Sequence, residues 1–275
     1  MPACLLPNRT RLLAATGIAD RAISAYAIEY RPGHYMPPHA HDTASISLVL
    51  AGDFSDQTTT TAIPQHSRPL AVMIKPAGVE HETSIAQSGA ASLVLKLPKH
   101  LAEHFYCESN LDPSTDTACR WLNDDHASSA LVKLWLTLAA GGLRLDSALD
   151  QSLCTLADLY TADSSPATKQ PNDLTIQRAT QLLSNGCTIT QTATALNLHP
   201  SHLARRFKAQ TGTTPSTIAQ RAKLSTAAEL IITTSQSLTQ CALAAGFADQ
   251  AHMSKRLSKS LGVTPRRLRS LVSVL

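Results

Sequence analysis

The sequence repeats itself in its last hundred residues, and this repeat constrains the fold more than any other feature. Residues 194–215 read TALNLHPSHLARRFKAQTGTTP, and residues 244–265 read AAGFADQAHMSKRLSKSLGVTP, fifty positions later. Apolar residues, a glycine and a proline recur at matching places, since Leu203, Phe207, Gly212 and Pro215 fall on Met253, Leu257, Gly262 and Pro265. Such a recurrence predicts two copies of one supersecondary unit.

Each copy is expected to contain a helix, a tight turn and a second, basic helix. Pro200 suits the first position of a helix, where its missing N–H costs little, and Asp249 is a typical N-terminal cap. Apolar spacing predicts helices over residues 190–196, 200–210, 215 to about 233, 239–245 and 250–260. This is the layout of a helix-turn-helix, which places its second helix in a DNA groove.

Charge is distributed unevenly between the two halves of the chain. Residues 172–275 contain 12 Lys and Arg against 3 Asp and Glu, whereas residues 1–171 contain 12 against 17. A basic domain beside an acidic one is expected when only one end of a protein meets phosphate. The charge split therefore supports double-stranded DNA as the partner of the repeat region.

The rest of the chain divides by composition into three parts. Residues 1–98 hold short apolar runs punctuated by Gly and Pro, at 22–29, 46–50, 70–74 and 91–97, and predict a β domain, a small barrel or sandwich. Residues 99–160 show helical spacing at 101–106, 118–122, 131–138 and 149–160, and predict a helical bracing or dimerisation region. Residues 161–171 have the composition of an interdomain linker, and residues 172–275 form the helical domain.

The remaining global features exclude several protein classes. The longest apolar stretch, residues 131–143, contains Lys133 and is too short to span a bilayer, and the first residues do not resemble a secretory signal. The six cysteines are scattered without a C-x-x-C pair, which favours reduced thiols over disulfides. We therefore expect a cytoplasmic protein without membrane contact.

Two faces can be assigned on each basic helix. The apolar residues are four apart and should face the domain interior. The opposite face carries residue types that can bond base edges, namely Ser201, His202 and Arg205 in the first copy and Gln250, Ala251, Ser254 and Lys255 in the second. Flanking cations are better placed for phosphate contacts, namely Arg206, Lys208, Arg256 and Lys259.

These segments resemble a known family. The stretch ALAAGFADQAHMSKRLSKSLGVTPRRLR is similar to the C-terminal signature of AraC/XylS transcription regulators, and KLSTAAELIITT (223–234) resembles the helix that joins their two helix-turn-helix units. The resemblance implies a regulator whose two helices enter successive major grooves, with an N-terminal domain that senses a small effector or mediates dimerisation. We accordingly expect a homodimer, and a contact with RNA polymerase stays open.

The N-terminal part contains a second resemblance, to the two cupin motifs. Gly33, His39, His41 and Gly52 match the first motif, and Pro76, Gly78 and His81 match the second. Alternate residues of a strand share a face, so His39 and His41 should point the same way, and His81 on a neighbouring strand could complete an open site for zinc, iron or a similar divalent metal. Ser45 stands where cupins usually carry a glutamate.

Three interpretations of the histidines stay open: a metal site, an effector pocket without metal, and ordinary structural histidines. The sequence as a whole predicts an α+β two-domain protein, with a cupin-like β barrel and helical extension followed by an all-α double helix-turn-helix. We expect a DNA-binding transcription regulator of AraC/XylS type and no enzyme. The alternative is a metal-dependent cupin enzyme of the three-histidine dioxygenase type with a DNA-binding tail.

Overall fold

A computed structural model describes residues 10–18, 23–58, 65–108, 119–140, 145–163 and 173–272. Its N-terminal part is built on one antiparallel sheet. The strands are β1 (Thr10–Ile18), β2 (Ile23–Tyr30), β3 (Tyr35–His39), β4 (Ala44–Thr58), β5 (Gln65–His66), β6 (Val72–Lys75), β7 (His81–Leu97) and β8 (Arg120–Leu122).

The sheet is open in the described residues, with the order β1-β2-β7-β4-β6-β8, and β3 and β5 pair with the outer ends of β7 and β4. The prediction of a sheet-rich N-terminal domain is confirmed, whereas closure into a cupin-type barrel is not. Residues 44–51 of β4 are all buried, because the two faces of this central strand are covered on opposite sides.

Two glycines bend the long central strands where they cross. Gly52 on β4 and Gly89 on β7 have φ of +74° and +77°, and a Cβ on Gly52 would lie 2.0 Å from the Gly89 carbonyl oxygen. The strand register shifts beside Gly52, between Val49 and Ala51 and again before Phe54. Only glycine fits this crossing, and the bend redirects the outer halves of both strands toward β3 and β5.

Three helices follow the sheet: α1 (Lys99–Glu108), α2 (Asp125–Ala139) and α3 (Leu145–Asp163). The prediction that residues 118–122 are helical is wrong, because Arg120–Leu122 forms strand β8 and pairs with β6. A short apolar run has too few residues to distinguish the two periodicities. Helix α3 also continues to Asp163, three residues into the predicted linker.

The C-terminal part is helical throughout, as predicted. Its helices are α4 (Leu174–Ser184), α5 (Ile189–Ala195), α6 (Pro200–Thr211), α7 (Pro215–Thr233), α8 (Leu238–Ala244), α9 (Gln250–Leu261) and α10 (Pro265–Arg269). The two copies are not in register throughout. Helices α6 and α9 are fifty residues apart, but α5 and α8 are forty-nine apart, because the turn of the second unit is one residue longer.

The two helix-turn-helix units have separate hydrophobic cores. The first unit has its own cluster, which consists of Ile176, Ala179, Leu183, Ala193, Leu203 and Phe207. The second unit, with Met253, Leu257 and Leu261, shares one continuous cluster with the sheet and with helices α2 and α3. Helix α7 joins both, since Ile218 packs against the first cluster and Leu224 belongs to the second.

Two negative findings apply to the described part of the chain. None of its helices is long and apolar enough to cross a membrane. Its cysteines, Cys107, Cys119, Cys154, Cys187 and Cys241, are all free thiols.

Candidate functional site

Local sequence signals fix both ends of helices α6 and α9, which we call the two reader helices. The side chain of His199 accepts a hydrogen bond from the Ser201 N–H at the start of α6, and that of Asp249 accepts from the His252 N–H at the start of α9. Both helices end at a glycine in the left-handed conformation, Gly212 (φ +69°) and Gly262 (φ +70°). The two copies therefore present segments of equal length.

The two faces of the reader helices are divided as the sequence predicts. Leu203, Phe207, Met253 and Leu257 are fully buried. Six of the predicted base-edge residues are exposed and one, Ser254, is half-buried; the exposed ones are Ser201, His202, Arg205, Gln250, Ala251 and Lys255. Arg205 and Lys255 occupy the same position of their helices, so each copy offers solvent a cation at this position.

The predicted phosphate-binding cations are in different environments. Lys208 and Arg256 are exposed. Arg206 is half-buried, and its Nε donates to Asp173 Oδ2 at 2.6 Å. Because Asp173 caps helix α4 by accepting from the Thr175 N–H, this ion pair fastens the first reader helix to the start of α4.

A second candidate site lies in the N-terminal domain, where the three predicted histidines meet. His39 ends β3 and lies opposite His81, the first residue of β7. His41 follows just beyond β3, and its carbonyl accepts from the Gly78 N–H at 2.8 Å, which ties the two cupin-like segments together. The ring centroids are 4.5 to 5.3 Å apart, and one nitrogen from each ring lies within 4.8 Å of the others.

Backbone carbonyls orient two of these rings. His39 Nδ1 lies 2.7 Å from the Pro37 oxygen, and His81 Nδ1 lies 3.0 Å from the Val79 oxygen. A carbonyl only accepts, so each Nδ1 carries the proton and each Nε2 keeps its lone pair. His81 Nε2 is buried and has no hydrogen-bond partner among the described residues. A ring oriented by a carbonyl on one nitrogen, with the other nitrogen unused, is the usual state of a metal-binding histidine, so these residues fit a divalent ion.

Burial favours the neutral form of two of these histidines, His41 and His81. Burial, and then the nearby charges, lower the pKa of His41 to about 4, and burial followed by Lys75 lowers the pKa of His81 to about 4. At neutral pH these two imidazoles are therefore unprotonated, which is the form that binds a metal.

The histidines border a cavity of about 310 Å³ inside the sheet. His39 and His41 line it, together with the buried His34 and with Ser45. Polar side chains that the sequence analysis did not single out also line the cavity, namely Lys75, Thr83, Lys96 and Trp121. Lys75 could have been noticed, because it is the one charged residue of the short buried strand Val72–Lys75.

Comparison with protein families decides what the C-terminal region is. Residues 192–270, which include both reader helices and α7 between them, match a family model described as a helix-turn-helix domain. The C-terminal region is an AraC-type helix-turn-helix domain. A chain with this domain is a DNA-binding regulator.

Solved structures with an AraC-type domain resemble this chain over different lengths. A transcriptional regulator from Chromobacterium violaceum is 27% identical, with 36% of this chain and 93% of that chain covered and a TM-score of 0.34. The C-terminal domain of AraT, a response regulator from Geobacillus stearothermophilus, is 25% identical, with 36% and 87% covered and a TM-score of 0.34. ToxT from Vibrio cholerae is 9% identical, with 92% and 98% covered and a TM-score of 0.40. A comparison with curated proteins finds no match.

Helix α7 makes several polar contacts that fasten the AraC-type domain to the N-terminal part, in addition to the core that the second unit shares with α2 and α3. The Glu229 carboxylate accepts a hydrogen bond from the Gly52 N–H at 2.8 Å. Arg221 pairs with Asp125 at the start of α2 and donates to the Leu70 carbonyl at 3.1 Å, and Ser225 donates to the Pro69 carbonyl. These contacts leave the outer faces of both reader helices open to solvent.

Proposed function

We propose that this regulator reads DNA with both reader helices and adjusts that binding to a ligand held in the N-terminal cavity. Arg205 and Lys255 contact base edges, most simply guanine, and the neighbouring residues contribute on the same faces: Ser201, His202, Gln250, Ala251 and Ser254. Lys208 and Arg256 contact phosphates. The observation that carries this proposal is the exposure of equivalent cations on two capped helices that one rigid helix joins.

Arg206 is proposed to have a structural role in addition to a phosphate contact. Its pair with Asp173 uses one edge of the guanidinium, and the side chain is about 39% exposed. We expect it to position α6 on α4 and to offer its remaining donors to phosphate. Arg206→Lys would keep the charge but lose the fixed planar geometry, which separates the two roles.

We expect the N-terminal cavity and the DNA-binding domain to be coupled through the strand and loop residues that form one wall of the cavity and contact helix α7. Val49 and Phe54 line the cavity and flank Gly52, whose N–H is bonded to Glu229 on α7. The Ser67 hydroxyl bonds the Phe54 backbone, and the Val49 carbonyl accepts from the Leu70 N–H. Since Pro69 and Leu70 also bond α7, a ligand that moves this wall changes the support of the helix between the readers.

The three histidines are proposed to form the sensing site, with a divalent ion bound by His39, His41 and His81. Such an ion would act as a Lewis acid that holds a donor atom of the effector. The residues of the chain supply the neutral imidazoles, the carbonyl orientation and the buried setting. An effector pocket without metal would use the same side chains as hydrogen-bonding groups, and a metal-dependent enzyme would show repeated turnover of the bound compound.

The DNA part of the proposal is tested by genome-wide mapping of bound sites with the full chain, followed by binding to the mapped sequences at increasing salt. We expect clear preference over random DNA and a steep loss of affinity with salt, because bound phosphates release counterions. Equal weak binding to every sequence would contradict it. Cytoplasmic location and homodimer formation are parts of the same proposal, and sedimentation of the complex tests the dimer.

The sensing part is tested by elemental analysis of untagged protein together with reporter induction by His39→Ala/His81→Ala. We expect the wild type to contain about one divalent ion per chain and the variant to lose both the ion and the response while retaining DNA binding. If the wild type contains no metal but its response still depends on the histidines, the site is an effector pocket without metal. If the wild type contains no metal and the variant is induced like the wild type, the histidines have only a structural role.

A further inference from the structure

The first turn of helix α6 fixes the direction of one hydrogen bond on its exposed side. His199 Nδ1 accepts from the Ser201 N–H at 3.4 Å, and the Ser201 hydroxyl oxygen lies 2.7 Å from the same nitrogen. A ring nitrogen that faces a backbone N–H presents its lone pair, so the hydroxyl proton of Ser201 also points to His199. The exposed Ser201 oxygen then has only lone pairs to offer, and it accepts hydrogen bonds from outside the protein without donating one.

The first turn of helix α9 fixes a hydrogen bond in the opposite direction. The Thr239 hydroxyl donates to Gln250 Oε1 at 2.9 Å. Threonines late in a helix donate to the carbonyl four residues earlier, as Thr211 and Thr233 do. Thr239 is the second residue of α8, so no carbonyl of its own helix lies four residues before it, and its proton goes to Gln250. With its oxygen engaged, the exposed carboxamide of Gln250 presents its Nε2 group, which has two N–H donors.

The two units differ here because their sequences are not equivalent in this turn. Gln250 corresponds to Pro200, fifty residues earlier, and Ser201 corresponds to Ala251. Pro200 and Ala251 have no hydrogen-bonding side chains, so only one side chain in the first two positions of each reader helix can bond a base. That side chain is an acceptor in the first unit and a donor in the second.

We propose that the first turns of the two reader helices bond DNA bases with opposite polarity, and that His199 and Thr239 set this polarity as positioning residues. Ser201 accepts from the amino group of adenine or cytosine, and Gln250 donates to an acceptor atom of guanine, adenine or thymine. Gln250 is therefore not the bidentate partner of adenine that an unrestrained glutamine can be. The inference rests on the proposed function, since it needs both reader helices in the major groove, and it adds which kind of group each helix recognises.

Base analogues that lack one major-groove group test the polarity directly. The full chain selects its preferred duplex from a random library, and Ser201→Ala and Gln250→Ala identify the base pair that each side chain contacts. Each pair is then rebuilt without an amino group (purine for adenine, pyrimidinone for cytosine) or without an acceptor (deazapurines for purines, aminopurine for guanine, methylpyrimidinone for thymine). We expect loss of the amino group at the Ser201 pair, and loss of an acceptor at the Gln250 pair, to weaken binding about fivefold, because one hydrogen bond contributes about that much. The opposite analogue should have little effect at either pair.

Matched variants test Thr239. Thr239→Val keeps the shape of the side chain but removes the donor, and it should reduce the effect of the missing acceptor at the Gln250 pair from about fivefold to about twofold or less, whereas Thr239→Ser should retain it. Thr190→Val is the control, because Thr190 has the same position in α5 and the residue that corresponds to Gln250 in its unit is Pro200, which has no amide to orient. In a Gln250→Ala background, Thr239→Val should have no further effect on base preference.

His199 is tested with two residues that are both accepted at a helix N-terminus. His199→Asn supplies another side-chain acceptor for the Ser201 hydroxyl, and His199→Gly supplies none. Only His199→Gly should let Ser201 donate as well as accept, and so reduce the effect of the missing amino group from about fivefold to about twofold or less. Thermal unfolding of both variants separates this change of preference from a loss of helix stability.

Each outcome supports or overturns the proposal. Sensitivity to the opposite analogue at either pair, unchanged sensitivity in Thr239→Val and His199→Gly, or an equal change in the Thr190→Val control would overturn it. If Ser201→Ala and Gln250→Ala change no base preference while Arg205→Ala does, the readers still recognise sequence and only this inference is wrong. If the wild type selects no sequence at all, the proposed function fails together with it.

Discussion

The backbone N–H of Gly52 donates a 2.8 Å hydrogen bond to the carboxylate of Glu229, a residue 177 positions away. Gly52 is the bend of the central strand beside the cavity, and Glu229 lies on the helix between the two readers. This bond links the N-terminal sheet directly to the helix that joins the two readers.

Glu229→Ala should lower the free energy of unfolding by about 1–3 kcal/mol, because the Gly52 N–H loses a charged acceptor in a half-buried setting. The matched control is Glu103→Ala. That residue pairs with Lys99 at 3.8 Å, and both side chains are largely exposed, so its removal should change stability by about 0.5 kcal/mol or less. Urea denaturation of the three proteins measures this. Equal losses in both variants would mean that the Gly52 contact contributes nothing.

Gly52→Ala should be far more damaging than Gly78→Ala, although both residues have nearly the same φ, +74° and +76°. A Cβ on Gly52 would collide with backbone atoms of Gly89 and Ala90, whereas a Cβ on Gly78 would have nothing within 4 Å. Gly78→Ala should therefore cost only the left-handed conformation, about 1–2 kcal/mol. Thermal unfolding checks this, and comparable melting temperatures for the two variants would show that the strand crossing is looser than described.

Because the two units have separate cores, two equivalent substitutions should destabilise different parts of the protein. Phe207→Ala should loosen the first helix-turn-helix unit alone, and Leu257→Ala should loosen the second unit together with helix α2. Each should cost about 2–5 kcal/mol, because both side chains are fully buried. Hydrogen exchange locates the effect. Faster exchange in α2 after Phe207→Ala, or unchanged exchange there after Leu257→Ala, would contradict the shared core.

Metal-free protein should lose stability as the pH falls from about 6.5 to about 4. In the folded chain the pKa values of His41 and His81 are lowered to about 4 by burial first, so in this window the unfolded chain binds more protons than the folded one. The stabilisation is complete above pH 6.5 and is lost as protonation favours unfolding. His41→Gln/His81→Gln should flatten this dependence, with His100→Gln as the exposed control. A wild-type slope in the double variant would refute the assignment.

Much of the C-terminal domain could be predicted because its helix ends depend on local sequence signals. The long-range contacts could not be predicted from the sequence. Asp249 and Pro200 mark helix starts because capping depends on neighbours within a few residues. The ion pair between Arg206 and Asp173 joins residues 33 positions apart, and the hydrogen bond between Gly52 and Glu229 joins residues 177 positions apart. No local sequence pattern predicts contacts over such separations. The sequence predicts the histidine cluster because the spacing of the histidines is itself a motif. It does not predict the cavity wall that includes Lys75, because that wall depends on how the strands cross.

The central claim is that the exposed cations Arg205 and Lys255 of the reader helices contact base edges. Selection of preferred sequences from a random DNA library tests it, with the full-length wild type compared with Arg205→Ala, Lys255→Ala and Lys208→Ala. We expect the wild type to select two half-sites about 10 base pairs apart, because one rigid helix joins the readers. Arg205→Ala and Lys255→Ala should each lose preference at a different half-site, at a cost of about 1–3 kcal/mol, while Lys208→Ala weakens all sequences alike. If both base-contact variants select the wild-type motif with uniformly reduced affinity, Arg205 and Lys255 contact phosphates and not base edges, and the central claim is wrong.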